Sequence, residues 1–269
     1  MARQQSEMIE FCAKTDIGLK RKKNDDFFLV VADSSSGSDT ERMGRMFAVA
    51  DGMGGHPAGD VASKIACNTV KDYYYDVSGT ERFLYSGASV FSCRPILGRV
   101  KQAFHAADKR ICLFECANEE CEGLGTTLSV LVLKGRQAVI GHVGDSRIYR
   151  LRNHRLELLT RDDTFVQDLV DTGDLRPEEA RKDPMRHVLM QAMGQGFESV
   201  YTRCEETAPG DVFLLCSDGV HDMVADEEIR QILEKEVPVE ETCSLLVKRA
   251  LEKGGKDNIT LIVVRCLEP

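Results

Sequence analysis

The sequence predicts an α+β protein in which two antiparallel sheets pack face to face and helices cover their outer faces. Strand-like runs come in consecutive series joined by short turns, and the long helical patterns fall in two groups, which is not βαβ alternation. A chain of 269 residues with 42% hydrophobic content also has the apolar surface to bury a core of that size.

Residues 9–15 and 27–31 read as strands separated by the Gly18 to Asp26 loop, and 34–40 is a Ser/Gly/Asp loop. The apolar run 47–50 has the length of a buried strand, stops at Asp51-Gly52 and gives way to a loop with Gly54, Gly55, Pro57 and Gly59. A helix over 60–76 sets Val61, Ile65 and Tyr73 on one side, and 78–95 is a weakly patterned connection. Over 98–117, Val100, Ala103, Phe104, Ala107, Ile111 and Phe114 mark one face of an amphipathic helix. Two hairpins follow, 126–133 with 137–143 and 146–151 with 155–159, turning at Lys134-Gly135-Arg136 and at Asn153-His154. Short helical pieces cover 165–171 and 177–182, the second opening on Pro177 with Glu178 and Glu179 behind it. Strands 199–205 and 211–217 turn at Pro209-Gly210, helices span 227–233 and 239–251, and 258–266 is a last apolar strand. No repeat or linker interrupts the chain, so residues 1–269 are expected to form one domain.

The formal charge of −9 and the lack of a basic stripe argue against a nucleic-acid groove. Neither a signal-type leader nor a membrane-length apolar stretch is visible, and a cytoplasmic protein is expected. The 10 cysteines in a chain of this size read as reduced thiols. Cys112, Cys116 and Cys121 cluster in sequence, but a zinc site would need a fourth ligand that the sequence does not offer.

The chemistry lies in acids at strand ends. Asp51 ends Phe47-Ala-Val-Ala, Asp145 follows Ile140-Gly-His-Val-Gly, Asp218 follows Phe213-Leu-Leu-Cys-Ser, and Asp257 precedes Ile259-Thr-Leu-Ile-Val-Val. Asp25 and Asp26 precede Phe27-Phe-Leu-Val-Val. If these ends converge, the carboxylates need a counter-charge, and all-oxygen ligation points to magnesium or manganese. Arg21 has a fork that suits a phosphate, a solvated basic loop being the alternative. Two cations, clustered acids and one arginine would hydrolyse a phosphate ester, the cations activating a water for in-line attack.

These motifs resemble those of the metal-dependent protein serine/threonine phosphatases of type 2C, in their compact bacterial form. The resemblance is carried by Gly18-Leu-Lys-Arg21, Asn24-Asp-Asp26, Phe47-Ala-Val-Ala-Asp51-Gly-Met-Gly-Gly-His56 and Gly125-Thr-Thr127. Gly141-His-Val-Gly-Asp145-Ser-Arg147, Pro177-Glu-Glu-Ala-Arg181, Arg186-His-Val-Leu-Met-Gln-Ala-Met-Gly194, Ser217-Asp-Gly-Val-His-Asp222 and Lys256-Asp-Asn-Ile-Thr260 complete it. It implies an αββα sandwich with a flap over about 164–194. It implies Asp51 as the acid bridging two cations, with the Gly52 carbonyl as a further ligand and Asp218 and Asp257 on the first metal. Asp25 or Asp26 would serve the second metal, Asp145 and Asp222 a third, and Arg21 would clamp the substrate phosphate. His56 could protonate the leaving alkoxide, a loop histidine at the rim being the alternative. His142 and His221 flank these acids and read as supporting or packing residues. Departures are Asp25, where the family has Glu or Gln, Met53 after Asp-Gly, where human-type members have histidine, Asp163-Thr164 for a His-Ser pair, and His187 for a flap asparagine. The implied substrates are proteins phosphorylated by a Hanks-type Ser/Thr kinase, and a monomer is expected. A two-metal hydrolase of small phosphate esters and a non-catalytic scaffold are the competing readings.

Overall fold

The two-residue period of the strands decides the architecture. In β3 (Arg45–Asp51) the chain lies between two cores: Met46, Ala48 and Ala50 pack with helices, and Phe47 and Val49 pack against the opposite sheet. The computed structural model describes residues 9–32, 39–53, 58–76 and 93–267. The expected loop at 34–38, the connection at 78–92 and His56 lie outside the described residues.

One sheet has the order β2 (Asp26–Val31), β3, β4 (Leu128–Lys134), β5 (Gln137–Val143), β8 (Tyr201–Glu206). The other runs β1 (Ile9–Asp16), β10 (Ile259–Cys266), β9 (Val212–Cys216), β6 (Arg147–Arg152), β7 (Arg155–Leu158). Every pairing within them is antiparallel. Phe47, Val49, Leu131 and Ile140 meet Phe213, Leu215, Ile262 and Val264 between the sheets. Helices α2 (Gly59–Tyr75) and α3 (Arg94–Ala117) cover the outer face of the first sheet. The other is covered by α7 (Asp226–Leu233) and α8 (Val239–Glu252). The protein is thus the expected αββα sandwich.

Three local features differ from the sequence reading. A short helix, α1 (Asp39–Met43), begins at the end of the expected 34–40 loop and runs past it; Met43 is buried in the core that α2 and α3 share, so a tertiary contact orders a turn with no hydrophobic period of its own. The buried face of α2 is centred on Ala62, Ala66, Val70 and Tyr74, with Val61, Ile65 and Tyr73 at its margin, because the small residues let the helix sit close on the sheet. Helix α3 begins four residues before the predicted start, with Pro95 in its first turn. Its buried Arg99 donates to the carbonyls of Tyr73 and Asp76, satisfying the C-terminal end of α2.

Helix α3 can close on β5 because residue 141 is glycine: a Cβ there would lie 2.5 Å from Val100 Cγ1 and 2.9 Å from Phe104 Cε2. At the other end of the sandwich, Asn153 and His154 adopt φ of +49° and +63° between paired Arg152 and Arg155, a two-residue hairpin turn. The segment after β7 leaves the sandwich through α4 (Phe165–Thr172) and α5 (Pro177–Ala180). It returns as a bridge between Thr164 and Leu189, with Phe165 N–H donating to the Val188 carbonyl and Met190 N–H to that of Asp163.

Candidate functional site

Strand parity aims the acids. Asp51 continues the Phe47, Val49 series and Asp26 continues Phe28 and Val30, so both face the opposite sheet at its end. They are directly paired across β2 and β3. From the facing sheet, Ser217 donates to Asp26 Oδ2 at 2.8 Å, and Asp218 follows as the first residue of α6 (Asp218–His221). Asp257 closes the ring from the start of β10, where Arg21 donates to its Oδ2 at 2.6 Å. Asp145 follows β5 and has Asp218 beside it. Acids from both sheets therefore meet at one end of the sandwich.

The backbone around Asp51 is held firmly. Thr126 Oγ1 donates to the Asp51 carbonyl at 2.8 Å, Thr127 N–H donates to the same oxygen, and Asp51 N–H donates to Thr127 Oγ1. Gly52 has no alternative: a Cβ would stand 2.2 Å from the Gly59 carbonyl oxygen and 2.6 Å from that of Asp25. The Arg21 loop is fixed by Asn258, whose Nδ2 donates to the carbonyls of Ile17 and Lys23 while its Oδ1 accepts from Asp25 N–H. Asn258 belongs to a quoted motif, but its clasp on a loop more than 230 residues away in sequence carries no local signal.

The crowding is electrostatically costly. Burial, then the charges of Asp26, Asp218, Asp145 and Asp257, push the Asp51 carboxyl well above the usual range. Burial, then Asp145 and Asp257, do the same to Asp218. Asp26 is pushed up to about 6, chiefly by burial, and Asp145 to about 7, by burial and then by Asp162. Oδ1 atoms of Asp25, Asp26 and Asp218 are buried without a hydrogen-bond partner among the described residues, Asp25 having only the Lys23 ammonium 3.5 Å away. Unpartnered carboxylate oxygens in mutual repulsion fit hard divalent cations, and manganese or magnesium suits this donor set.

Asp222 stands at the rim, facing the flap: Arg186 Nε is 3.6 Å and His187 Nε2 3.3 Å from its Oδ2. The sequence reading named His187 only as a departure; the structure puts its Nδ1 3.6 Å from Asp218 Oδ2. Two further histidines, His142 and His221, support the surroundings of the acids. His142 is buried between Ser129 Oγ and the Arg161 carbonyl. His221 Nε2 faces the Asp145 carbonyl at 3.1 Å, and burial, then Arg147, push its pKa down to about 3. Arg147 is itself locked to Asp162 by a forked ion pair. The cysteine trio goes to separate surroundings: Cys121 is buried in the core, Cys112 reaches the Gly194 carbonyl, and Cys116 is exposed.

A two-sheet sandwich with an acid cluster at one end and a flap beside it defines a class of metal-dependent hydrolase, and comparison with known proteins places the chain within it. The protein phosphatase 2C profile matches residues 22–254, and the chain belongs to that family. It is 36% identical over 258 residues to the serine/threonine protein phosphatase PstP of Mycobacterium tuberculosis, covering 95% of this chain but 45% of PstP. The chain thus spans about half the length of that relative. It is 33% identical to protein phosphatase PhpP of Streptococcus pneumoniae, covering 95% of this chain and 97% of PhpP. Among solved structures, the catalytic domain of PstP in complex with two manganese ions superposes with a TM-score of 0.78 at 34% identity, covering 97% of this chain and 99% of that one. Stp1 from Staphylococcus aureus superposes with a TM-score of 0.83 at 28% identity, over 100% and 99% of the two chains.

Proposed function

We propose that residues 1–269 form a single catalytic domain that hydrolyses phosphoserine and phosphothreonine esters of proteins with the help of manganese or magnesium. The observation that carries this reading is the set of buried, mutually repelling carboxylates with unpartnered oxygens, drawn from both sheets. Family membership and the manganese in the PstP catalytic domain support it.

In this reading Asp51 would be shared by two cations with the Gly52 carbonyl as a further ligand, Asp218 and Asp257 would help hold the first, and Asp25 or Asp26 would serve the second, directly or through water. Asp145 and Asp222 would stand at a third. When bound, the cations supply positive charge at the phosphoryl oxygens and bring the pKa of a coordinated water towards neutrality. The chain's residues do the rest. Arg21, paired with Asp257, offers its remaining N–H groups to the phosphate and holds it in line. Thr126 and Thr127 keep the Asp51 backbone from relaxing away from its neighbours. Water oxygen adds to phosphorus, the bond from phosphorus to the Ser or Thr oxygen breaks, and that oxygen takes a proton, which we assign to His56.

The substrates are proposed to be products of a Hanks-type Ser/Thr kinase, met in the cytoplasm by a monomer that binds neither nucleic acid nor membrane. The net charge of −9 supports the nucleic-acid part of this reading. Among the described residues no helix is long and apolar enough to cross a membrane.

The test is phosphate release from a phosphothreonine peptide with and without manganese, in the wild type and in Asp218→Asn. Metal-dependent turnover that falls by roughly 100-fold or more in the variant is expected, since loss of even an outer-shell partner costs a metal site 10- to 100-fold. A wild type that binds manganese but releases no phosphate would overturn the peptide-phosphatase reading in favour of small phosphate esters or a scaffold.

A further inference from the structure

Beyond the acids, the flap contributes a nitrogen donor. We infer that His187 is a metal ligand: it joins Asp145 and Asp218 in a third cation site that favours manganese over magnesium and ties the flap to the sandwich through the ion. This rests on the metal-dependent reading above and adds to it a ligand of a different element.

Geometry comes first. One ligand atom from each of Asp145, His187 and Asp218 lies within 4.8 Å of the other two. A six-coordinate ion with ligands at about 2.0–2.2 Å holds neighbouring donors about 3 Å apart and opposite ones about 4.3 Å apart. Each of the three donors thus lies within about an ångström of its place around one ion.

The acids are poised for it. Asp145 is 8% exposed, and no other described residue donates a hydrogen bond to its carboxylate. Asp218 Oδ1 is buried without a hydrogen-bond partner among the described residues.

The imidazole is oriented as ligating histidines are. Such a ring commonly turns its second nitrogen to a carboxylate, which fixes the tautomer and strengthens the donor. Here Nδ1 faces Asp218 at 3.6 Å and Nε2 faces Asp222 at 3.3 Å. Both distances exceed a good hydrogen bond, and no hydroxyl or carbonyl among the described residues bonds to the ring. Asp222 then orients the histidine instead of holding the ion. Backbone bonds at Val188 and Met190 set His187 at the root of the flap, next to the acids.

Ligand chemistry gives the selectivity. Magnesium keeps to oxygen donors, whereas manganese stands higher in the affinity order for nitrogen-containing sites and accepts an imidazole more readily. Replacing the imidazole should therefore weaken manganese at this site and leave magnesium nearly unchanged.

The experiment follows manganese titration of the metal-free full chain by calorimetry and by pulsed electron paramagnetic resonance, in the wild type and in His187→Asn. Asparagine keeps polarity and hydrogen bonding but lacks the ring nitrogen. The wild type is expected to show nitrogen-14 modulation from a directly bound imidazole as its weakest manganese site fills. In His187→Asn that modulation is lost, and the same site weakens by about 10-fold or more. Modulation that persists unchanged in His187→Asn overturns the inference. So does a third manganese bound without modulation in the wild type, or a wild type that binds two ions only; both leave the two-metal reading standing. If no manganese binds at all, both readings fall together.

Discussion

At the residue scale the acid cluster stores its cost in protonation. Asp26 and Asp145 are pushed up to about 6 and about 7, against about 3.9 in an unfolded chain. At these two carboxyls the metal-free native state binds more protons than the unfolded chain between pH 7 and pH 5, so they contribute stability that rises as pH falls, against the opposite contribution of buried His142 and His221. In metal-free protein, Asp145→Asn should raise the melting temperature more at pH 7.5 than at pH 5, because the substitution removes a carboxyl that is costly only when ionised. A variant whose melting-temperature difference from the wild type is the same at both pH values would show that Asp145 is not held above its ordinary range as described. Arg147 presents the opposite case. Burial pushes the Asp162 carboxyl up, yet the forked guanidinium holds it below the usual range. Removing one partner of a largely buried pair costs about 3–5 kcal/mol, so Arg147→Leu should lower the chemical-denaturation midpoint accordingly. The acids were legible in sequence because each ends or begins an apolar strand. The partnership of Arg147 with Asp162 was not, since a whole hairpin separates them.

At the element scale, helix and strand depend on residues that are small for a reason. Gly141 gives α3 its seat on β5, where the nearest Val100 and Phe104 atoms would meet any added methyl. Gly141→Ala is expected to cost about 1–3 kcal/mol of stability, the usual range for overpacking, measured by urea denaturation. Asp145 lies four residues on, so the same change should weaken manganese binding; a loss of stability with binding untouched would mean that α3 alone absorbs the shift. Strand and helix placement followed from hydrophobic period to within a few residues, as in residues 137–143, predicted and observed alike. The one-turn α1 escaped because five residues are too few to show a period, and the face of α2 was misplaced because alanine and serine give a weak apolar signal. The flap's contribution to the cluster was not legible either, as no period fixes where an irregular segment returns.

At the scale of the whole molecule, the acids bind the two sheets into one unit. Asp26 and Asp51 come from one sheet, Asp218 and Asp257 from the other, so a cation between them stabilises the packing of both. Manganese at about 100 times its dissociation constant should add about 2.7 kcal/mol, within a single unfolding transition, and Asp257→Asn should lose most of that gain. Two separate transitions, one insensitive to metal, would refute the coupling. The sandwich was legible because its strands arrive in series; the convergence of their ends was only conditional in sequence, since strand order across two sheets leaves no local trace. The pairing of β1 with β10 has a consequence for biosynthesis. The first described strand waits for the last described one, and Asn258, which clasps the Arg21 loop, is made 235 residues after the Lys23 whose carbonyl it holds. A ribosome-bound nascent chain that has exposed everything up to Asp218 still lacks Asp257, Asn258 and the strand that seats them. Until β10 pairs with β1 and β9, a nascent chain holds its acids on separate pieces, so the cluster assembles in one step that waits for this strand.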